Sequence, residues 1–349
     1  MTEKEFARYI DRLIQKQDLS AEEAAWCFSE VIANHQPDMQ QGAFLAALTA
    51  KGVTATEIAS AWQILCELDT TMIDVETATP LVENSGTGMD NFKTFNISTA
   101  ASIIAAADGI PIARHGSRAI TSHCGAVDMA EALGVNVECP PEVVKASIES
   151  IGLGLFNGMS ELVHPRALSR ILSQASFGSV LNIAASLANP ARPRMAVRGV
   201  YHPSLLYQTA EAMREIGYCR ALVVYGELGN GELAIDEAST LGRTIICELS
   251  PDGTISEYQL HPAMFDIASC NFLELASCGE IRVEAYRMRE LLAGSGSAAR
   301  RDIACLNAAL IMYVASRVDT IVDGYRRAQW LLQTDLPTNK LTEWISTQQ

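Results

Sequence analysis

The chain has 349 residues, 48% of them hydrophobic but only 6% aromatic, and a formal charge of −15 from 41 acidic and 26 basic residues. Its length allows one large domain or about two to three average ones, and abundant alanine and glycine with few aromatics favour a helix-rich or α/β fold over an all-β sandwich. The acidic balance excludes ordinary nucleic-acid binding, since a polyphosphate backbone is repelled unless a basic patch reverses the field, and none stands out.

Residues 1–72 read as an all-α domain. The N-terminus is charged and amphipathic, with no apolar signal core. Phe6, Tyr9, Ile10 and Leu13 fall at helical spacing, and Ser20-Ala21-Glu22-Glu23 is a capping box opening a second helix. Further helix starts are read at Gln41 and at Thr54-Ala55-Thr56-Glu57. From about residue 80 short apolar runs, glycine turns and helices alternate, the pattern of β-loop-α units on a mainly parallel sheet. Strands are predicted over residues 80–82, 110–113, 195–200, 221–225 and 244–249. Helix returns after Ala263, and residues 302–315 are apolar enough to pack on the sheet. No run of about 18 apolar residues suggests a membrane span. The nine cysteines are scattered without a CxxC pair, which argues for reduced thiols and the cytoplasm.

Two segments carry chemistry. Residues 82–99 run from a strand through Ser85-Gly86-Thr87-Gly88-Met89-Asp90 into a helix starting near Ser98. Glycines let a backbone approach an anion, and the free N–H groups of a helix start attract it. A phosphate cradle fits; so does a glycine turn with Ser98 as a plain N-cap. The second segment, Arg114-His115-Gly116-Ser117-Arg118 through Thr121, Ser122, His123, Gly125 and Asp128, leaves the next strand and opens a helix near Gly125. Its arginines and hydroxyls suit a phosphate clamp. A solvated basic turn is the alternative, and His115 or His123 is either a general base or a structural histidine.

Together these runs, Gly-Thr-Gly-x-Asp-x(3)-Thr-Phe-Asn-x-Ser-Thr and His-Gly-x-Arg-x(3)-Ser-x(2)-Gly-x(2)-Asp, resemble the donor-binding motifs of the anthranilate phosphoribosyltransferase family. The resemblance extends through Gln41 to Leu45, Gly199 to Pro203, Ala221 to Gly226 and Leu306 to Ala309. It implies a small N-terminal all-α domain, completed by helices within 160–190, joined to an α/β donor-binding domain over 73–349. A mainly parallel sheet and an active site in the cleft between the domains are implied too, as is a homodimer formed through the helical domain. It also implies phosphoribosyl pyrophosphate (PRPP) held by Gly86, Thr87, Gly88, Asp90, Thr94, Asn96, Ser98, Thr99, Arg114, His115, Gly116, Ser117 and Ser122. Mg2+ is then expected at Ser98 and at Asp236-Glu237, with Glu232 as the alternative. No nucleophile–base pair is needed, because an oxocarbenium-like transition state requires leaving-group stabilisation instead.

Departures from the family gather on the acceptor side. Ser117 replaces an asparagine, Met89 a glycine, and Leu172 to Gln174 occupy the place of the arginine that pairs with anthranilate's carboxylate. Arg166 or Arg170 could compensate. Ser117, Arg118, His164 and Arg170 are the expected acceptor contacts. The favoured reading is transfer to an aromatic amine or ring nitrogen other than, or besides, anthranilate. Ordinary anthranilate phosphoribosyltransferase, a pyrimidine nucleoside phosphorylase and a silent homologue are the alternatives.

Overall fold

The computed structural model describes residues 3–89, 92–119, 124–175, 177–229, 233–268 and 270–349. Four helices come first: α1 (Glu3–Ile14), α2 (Ala21–Ile32), α3 (Asp38–Lys51) and α4 (Ala55–Asp69). Phe6, Tyr9, Ile10 and Leu13 are all buried, with the Phe6 ring against Trp26 and Phe44. Both capping boxes form: Glu23 N–H donates to Ser20 Oγ and Glu57 N–H to Thr54 Oγ1, while each glutamate accepts from the cap's own N–H. The third helix starts at Asp38, a turn earlier than read from sequence, because Pro37 takes the cap position with its fixed φ. Gln41 is buried and donates to Asn34 Oδ1 and the Gln36 carbonyl.

One sheet organises the rest: β1 (Val82–Ser85), β2 (Ile112–Gly116), β3 (Leu153–Asn157), β4 (Met195–Gly199), β5 (Arg220–Leu228), β6 (Leu233–Ile235), β7 (Thr244–Leu249) and β8 (Ile255–Leu260). The order is β3-β2-β1-β4-β5-β7-β8, with β6 paired to β5. Strands β1 to β5 are parallel, and β6, β7 and β8 pair antiparallel. The first strand is β1 at Val82–Ser85, not residues 80–82, since Pro80 has no N–H for a ladder. Composition hid β3, which has a glycine at its second position, and β8, a largely exposed edge strand.

The connecting helices are α5 (Ile97–Ala107), α6 (Ala126–Ala132), α7 (Pro141–Ile151), α8 (Leu168–Gln174), α9 (Val180–Leu187) and α10 (Leu205–Glu215). The C-terminal helices are α11 (Ile281–Leu292), α12 (Ala298–Val314), α13 (Ile321–Leu331) and α14 (Leu336–Thr347). Helices α5 and α12 share a core with Val82, Ile112, Val197 and Leu222 of the sheet. The N-terminal helices share a second core with Ala167 to Ala188, α10 and the sheet residues Val223 and Cys247. The fold is thus a small helical unit on a larger α/β unit. Among the described residues no helix is long and apolar enough to cross a membrane, and all nine cysteines are free.

One buried carboxylate joins the two units. Asp69, at the end of α4, accepts from the N–H groups of Arg166 (2.5 Å), Ala167 (3.0 Å) and Leu168 (2.7 Å) where α8 begins. Trp62 Nε1 adds a bond to the Leu187 carbonyl at 2.9 Å. Removing the carboxylate strands several buried N–H donors. Asp69→Ala is therefore expected to cost about 3 kcal/mol in urea unfolding, with hydrogen-exchange protection lost first at residues 166–168.

Candidate active site

In a sheet of this order, the strands lead away from β1 in both directions, and the crevice at the carboxyl ends of β1 and β4 is the switch point where ligands bind. Both sequence motifs converge there. The first leaves β1 and the second leaves β2; between them lies a cleft of about 880 Å3, lined by Gly86, Thr87, Gly88, Lys93, Thr94, Asn96, Ser98, Arg114 to Ala119 and Asp236-Glu237.

The acidic pair reaches the cleft from the turn after β6. Asp236 Oδ2 accepts from Gly88 N–H at 2.7 Å and from Thr87 Oγ1 at 3.3 Å. The fit leaves no room: a Cβ on Gly86 would stand 2.2 Å from that carboxylate, and one on Gly199, at the end of β4, 1.5 Å from the Asp236 carbonyl. Glu237 Oε1 accepts from Ser98 Oγ at 3.2 Å. Asn307 of α12 holds the turn by donating to the Ala238 carbonyl (3.0 Å) and accepting its N–H (2.9 Å). Below the loop, buried Arg198 on β4 bridges Glu83 Oε2 (2.7 Å) and Ser85 Oγ, which locks the end of β1 to β4.

Ser98 is not the helix cap. Asn96 holds that position, so Ser98 sits one residue inside α5, its backbone among the N–H groups without intrahelical acceptors. Asn96 Nδ2 instead donates to the Cys124 carbonyl at 3.2 Å, tying the first motif to the second. Thr99 does not line the cleft; its buried hydroxyl accepts from Arg114 Nη1 at 2.6 Å. Burial lowers the pKa of Arg114 to about 10 against the opposing pull of Glu83 and Glu237, so it stays cationic at neutral pH. The loop is also supported from outside: Phe95 N–H donates to the Leu275 carbonyl and Ser277 N–H to the Lys93 carbonyl, both at 3.0 Å. Buried Arg300 pins that outer segment through the carbonyls of Glu274 and Ala276, salt-bridges Glu284 and lies 4.7 Å over the Phe95 ring.

A second cavity, of about 460 Å3, shares Gly86, Thr87, His115, Gly116 and Ser117 with the cleft and continues past Gly158, Met159, Leu168, Leu172, Asn182, Ala185 and Ser186. Three of the four expected acceptor contacts lie elsewhere. Arg170 donates to the Val31 carbonyl (2.9 Å) and Gln41 Oε1 (3.3 Å), inside the helical unit. Arg118 lines the first cleft with its guanidinium already on Glu131, Glu138 and Asp128, which raise its pKa. His164 is buried behind His115. Asp90, Ser122, His123 and Glu232 lie outside the described residues. Sequence reading missed Lys93, though it is the one cation within the first motif, and missed Asn182 and Ser186, which carry no motif.

The two histidines form a buried relay. A carbonyl only accepts, so His164 Nδ1 donates to the Asp69 carbonyl (2.6 Å), and its Nε2 meets His115 Nε2 at 3.0 Å. Burial holds both pKa values below 6.5, His115 well below, with His164 and Arg198 adding to the depression of His115. Neither histidine is a cation at neutral pH.

Comparison with known proteins gives the class first: residues 7–68 match the helical bundle domain of the glycosyl transferase family and residues 78–335 its a/b domain. The chain is 34% identical over 338 residues to an anthranilate phosphoribosyltransferase of Pelodictyon phaeoclathratiforme, covering 96% of this chain and 94% of that one. It therefore belongs to the anthranilate phosphoribosyltransferase family. The fold matches the crystal structure of anthranilate phosphoribosyltransferase from Thermus thermophilus with TM-score 0.87 and 29% identity, covering 97% and 98% of the two chains. It also matches the Saccharomyces cerevisiae enzyme in complex with PRPP and Mg, with TM-score 0.85, 22% identity and coverage of 99% and 98%.

The relay makes stability depend on pH with a definite sign. Folded pKa values below the unfolded 6.5 mean that the unfolded chain binds more protons, so this stability is complete above pH 6.5 and lost as pH falls below it. Each histidine contributes at most about 1.4 kcal/mol per pH unit. Urea unfolding at pH 7.5, 6.5 and 5.5 should show a steeper loss below 6.5 in the wild type than in H115Q/H164Q.

Proposed function

We propose that the protein transfers the 5-phosphoribosyl group of PRPP to an aromatic amine or ring nitrogen, releasing pyrophosphate. The observation that carries this reading is the convergence of the glycine loop, the start of α5, Arg114 and the Asp236-Glu237 turn on one cleft. The loop 86–90, the first turn of α5 at Asn96 and Ser98, and Thr94 would hold the pyrophosphate, with Thr99 acting behind them by fixing Arg114. Arg114 to Ser117 and Ser122 would hold the remainder of the donor. The acceptor nitrogen attacks the anomeric carbon, the bond to pyrophosphate oxygen breaks with its electron pair leaving on pyrophosphate, and the nitrogen then loses its proton to water. Fixed dipoles and Arg114 stabilise the departing charge, so no general base is required.

Asp236, Glu237 and Ser98 present hard oxygen donors beside the loop, a set that suits Mg2+. Among the described residues no three His, Cys, Asp or Glu side chains are grouped so as to hold a metal ion by themselves, and Mg2+ characteristically completes its shell with water and substrate phosphates. Bound there, it would neutralise pyrophosphate charge. The fold also accommodates PRPP and Mg in the yeast neighbour. Anthranilate as the acceptor is the second reading, favoured by the names of the relatives. A homodimer through the helical unit, in the cytoplasm, completes the proposal.

Calorimetry with PRPP and MgCl2 tests the reading: uptake by the wild type is expected, with affinity falling at least tenfold in folded D236N, E237Q and G86A. Absence of uptake by the wild type would end the transferase reading. Unchanged affinity in D236N/E237Q would move the metal role to Glu232.

A further inference from the structure

The second cavity opens directly beside the donor cleft, sharing Gly86, Thr87, His115, Gly116 and Ser117 with it, so an occupant there faces the bond to be broken. We propose that this occupant, the acceptor, is an uncharged aromatic amine or azole without a free carboxylate, recognised by hydrogen bonds and apolar contact. This rests on the phosphoribosyl-transfer reading and names its substrate class.

No lysine or arginine lines the cavity among the described residues. The nearby cations are all committed elsewhere. Arg114 faces the donor cleft and holds Thr99 and the Asn84 carbonyl. Arg118 carries three carboxylates. Arg170 is turned onto the Val31 carbonyl in the helical unit, and Lys93 lines only the donor cleft. Arg166 is exposed and lines neither cavity. The residues outside the described set include no lysine or arginine. Among the described residues His115 is the one titratable side chain on the wall, and its Nε2 lies 3.0 Å from His164 Nε2.

A carboxylate taken out of water into such a wall has no opposite charge to meet it, and an uncompensated buried charge is strongly disfavoured. What the wall offers is neutral. Met159, Leu168, Leu172 and Ala185 supply apolar surface. Asn182 spends its Oδ1 on Ser179, accepting from both its N–H (2.9 Å) and its hydroxyl (3.3 Å), which leaves the amide NH2 as a donor with no partner among the described residues. Ser186 Oγ donates to the Ile183 carbonyl at 2.7 Å and so retains acceptor capacity. Ser117 adds a hydroxyl at the junction with the donor cleft. A planar ring with one acceptor for Asn182 and one donor for Ser186 or Ser117 satisfies these groups without bringing a charge that the wall leaves unpaired.

The test uses full-length protein saturated with MgCl2 and inorganic pyrophosphate, titrated in a calorimeter with anthranilate, its amide 2-aminobenzamide, aniline and benzimidazole. At least one uncharged ring is expected to bind, and 2-aminobenzamide at least tenfold more tightly than anthranilate. Equal or tighter binding of anthranilate overturns the proposal, as does failure of every uncharged ring. Donor uptake, measured separately with PRPP, decides the transferase reading independently. Leu172→Arg, which puts a cation into the wall, should shift the anthranilate-to-amide ratio at least tenfold towards the carboxylate. An unmoved ratio in folded L172R overturns the assignment of the pocket; should L172R not fold, the wild-type ratio still decides.

Discussion

The contact between the Asp236 carboxylate and the N–H of Gly88 is the constraint on which the site depends. It joins a loop after the first strand of the sheet to a turn nearly 150 residues later, and it works only because Gly86 and Gly199 lack side chains. A carboxylate accepting a backbone N–H at 2.7 Å makes a short charge-assisted bond, which holds the loop in one shape. The same turn delivers Glu237 to Ser98 at the start of α5. One acidic turn therefore sets the geometry of both the glycine loop and the helix start.

Rigidity of that turn is supplied from outside the site. Asn307 clamps Ala238 from α12, a helix buried against the sheet, so the C-terminal helices contribute to the cleft without lining it. Arg300, on the same helix, does the equivalent for the far side of the glycine loop by pinning the carbonyls of Glu274 and Ala276. Burial alone would raise the pKa of its partner Glu284, yet the salt bridge and the Cys278 N–H hold it at about 2, so the clamp stays charged throughout the neutral range. A helix that reads in sequence as plain apolar packing thus carries two polar residues that position the loops.

How much of this is legible in sequence depends on whether a residue's partner is close in the chain. Capping boxes at Ser20 and Thr54 were readable because both halves lie within one turn. Strands β2, β4, β5 and β7 were readable as apolar runs, whereas β3, with a glycine at its second position, and β8, exposed on an edge, left no such signature. Both glycine-containing motifs and the acidic pair were visible as residue types, and the fold brings them together. The partners of Arg170 and His164 were not visible. Arg170 suited an acceptor contact by sequence position, but its side chain follows the nearest unsatisfied carbonyl, that of Val31, into the helical unit. His164 likewise follows the Asp69 carbonyl and meets His115 from behind.

The charge balance poses a last problem, since a chain of net charge −15 must draw a polyanionic donor into a cleft that contains two carboxylates. Long-range steering cannot do this, because salt screens exposed charges beyond about 8 to 10 Å. Attraction has to be local and desolvated. Arg114 fits that need: it is buried, cationic and fixed by Thr99 and the Asn84 carbonyl, so little reorganisation is required when an anion approaches. The first turn of α5 adds N–H dipoles that carry no counter-charge of their own. In the proposed reading Asp236 and Glu237 would oppose the donor until a hard cation lay between them and it, so the cleft would favour an anion that arrives with its metal.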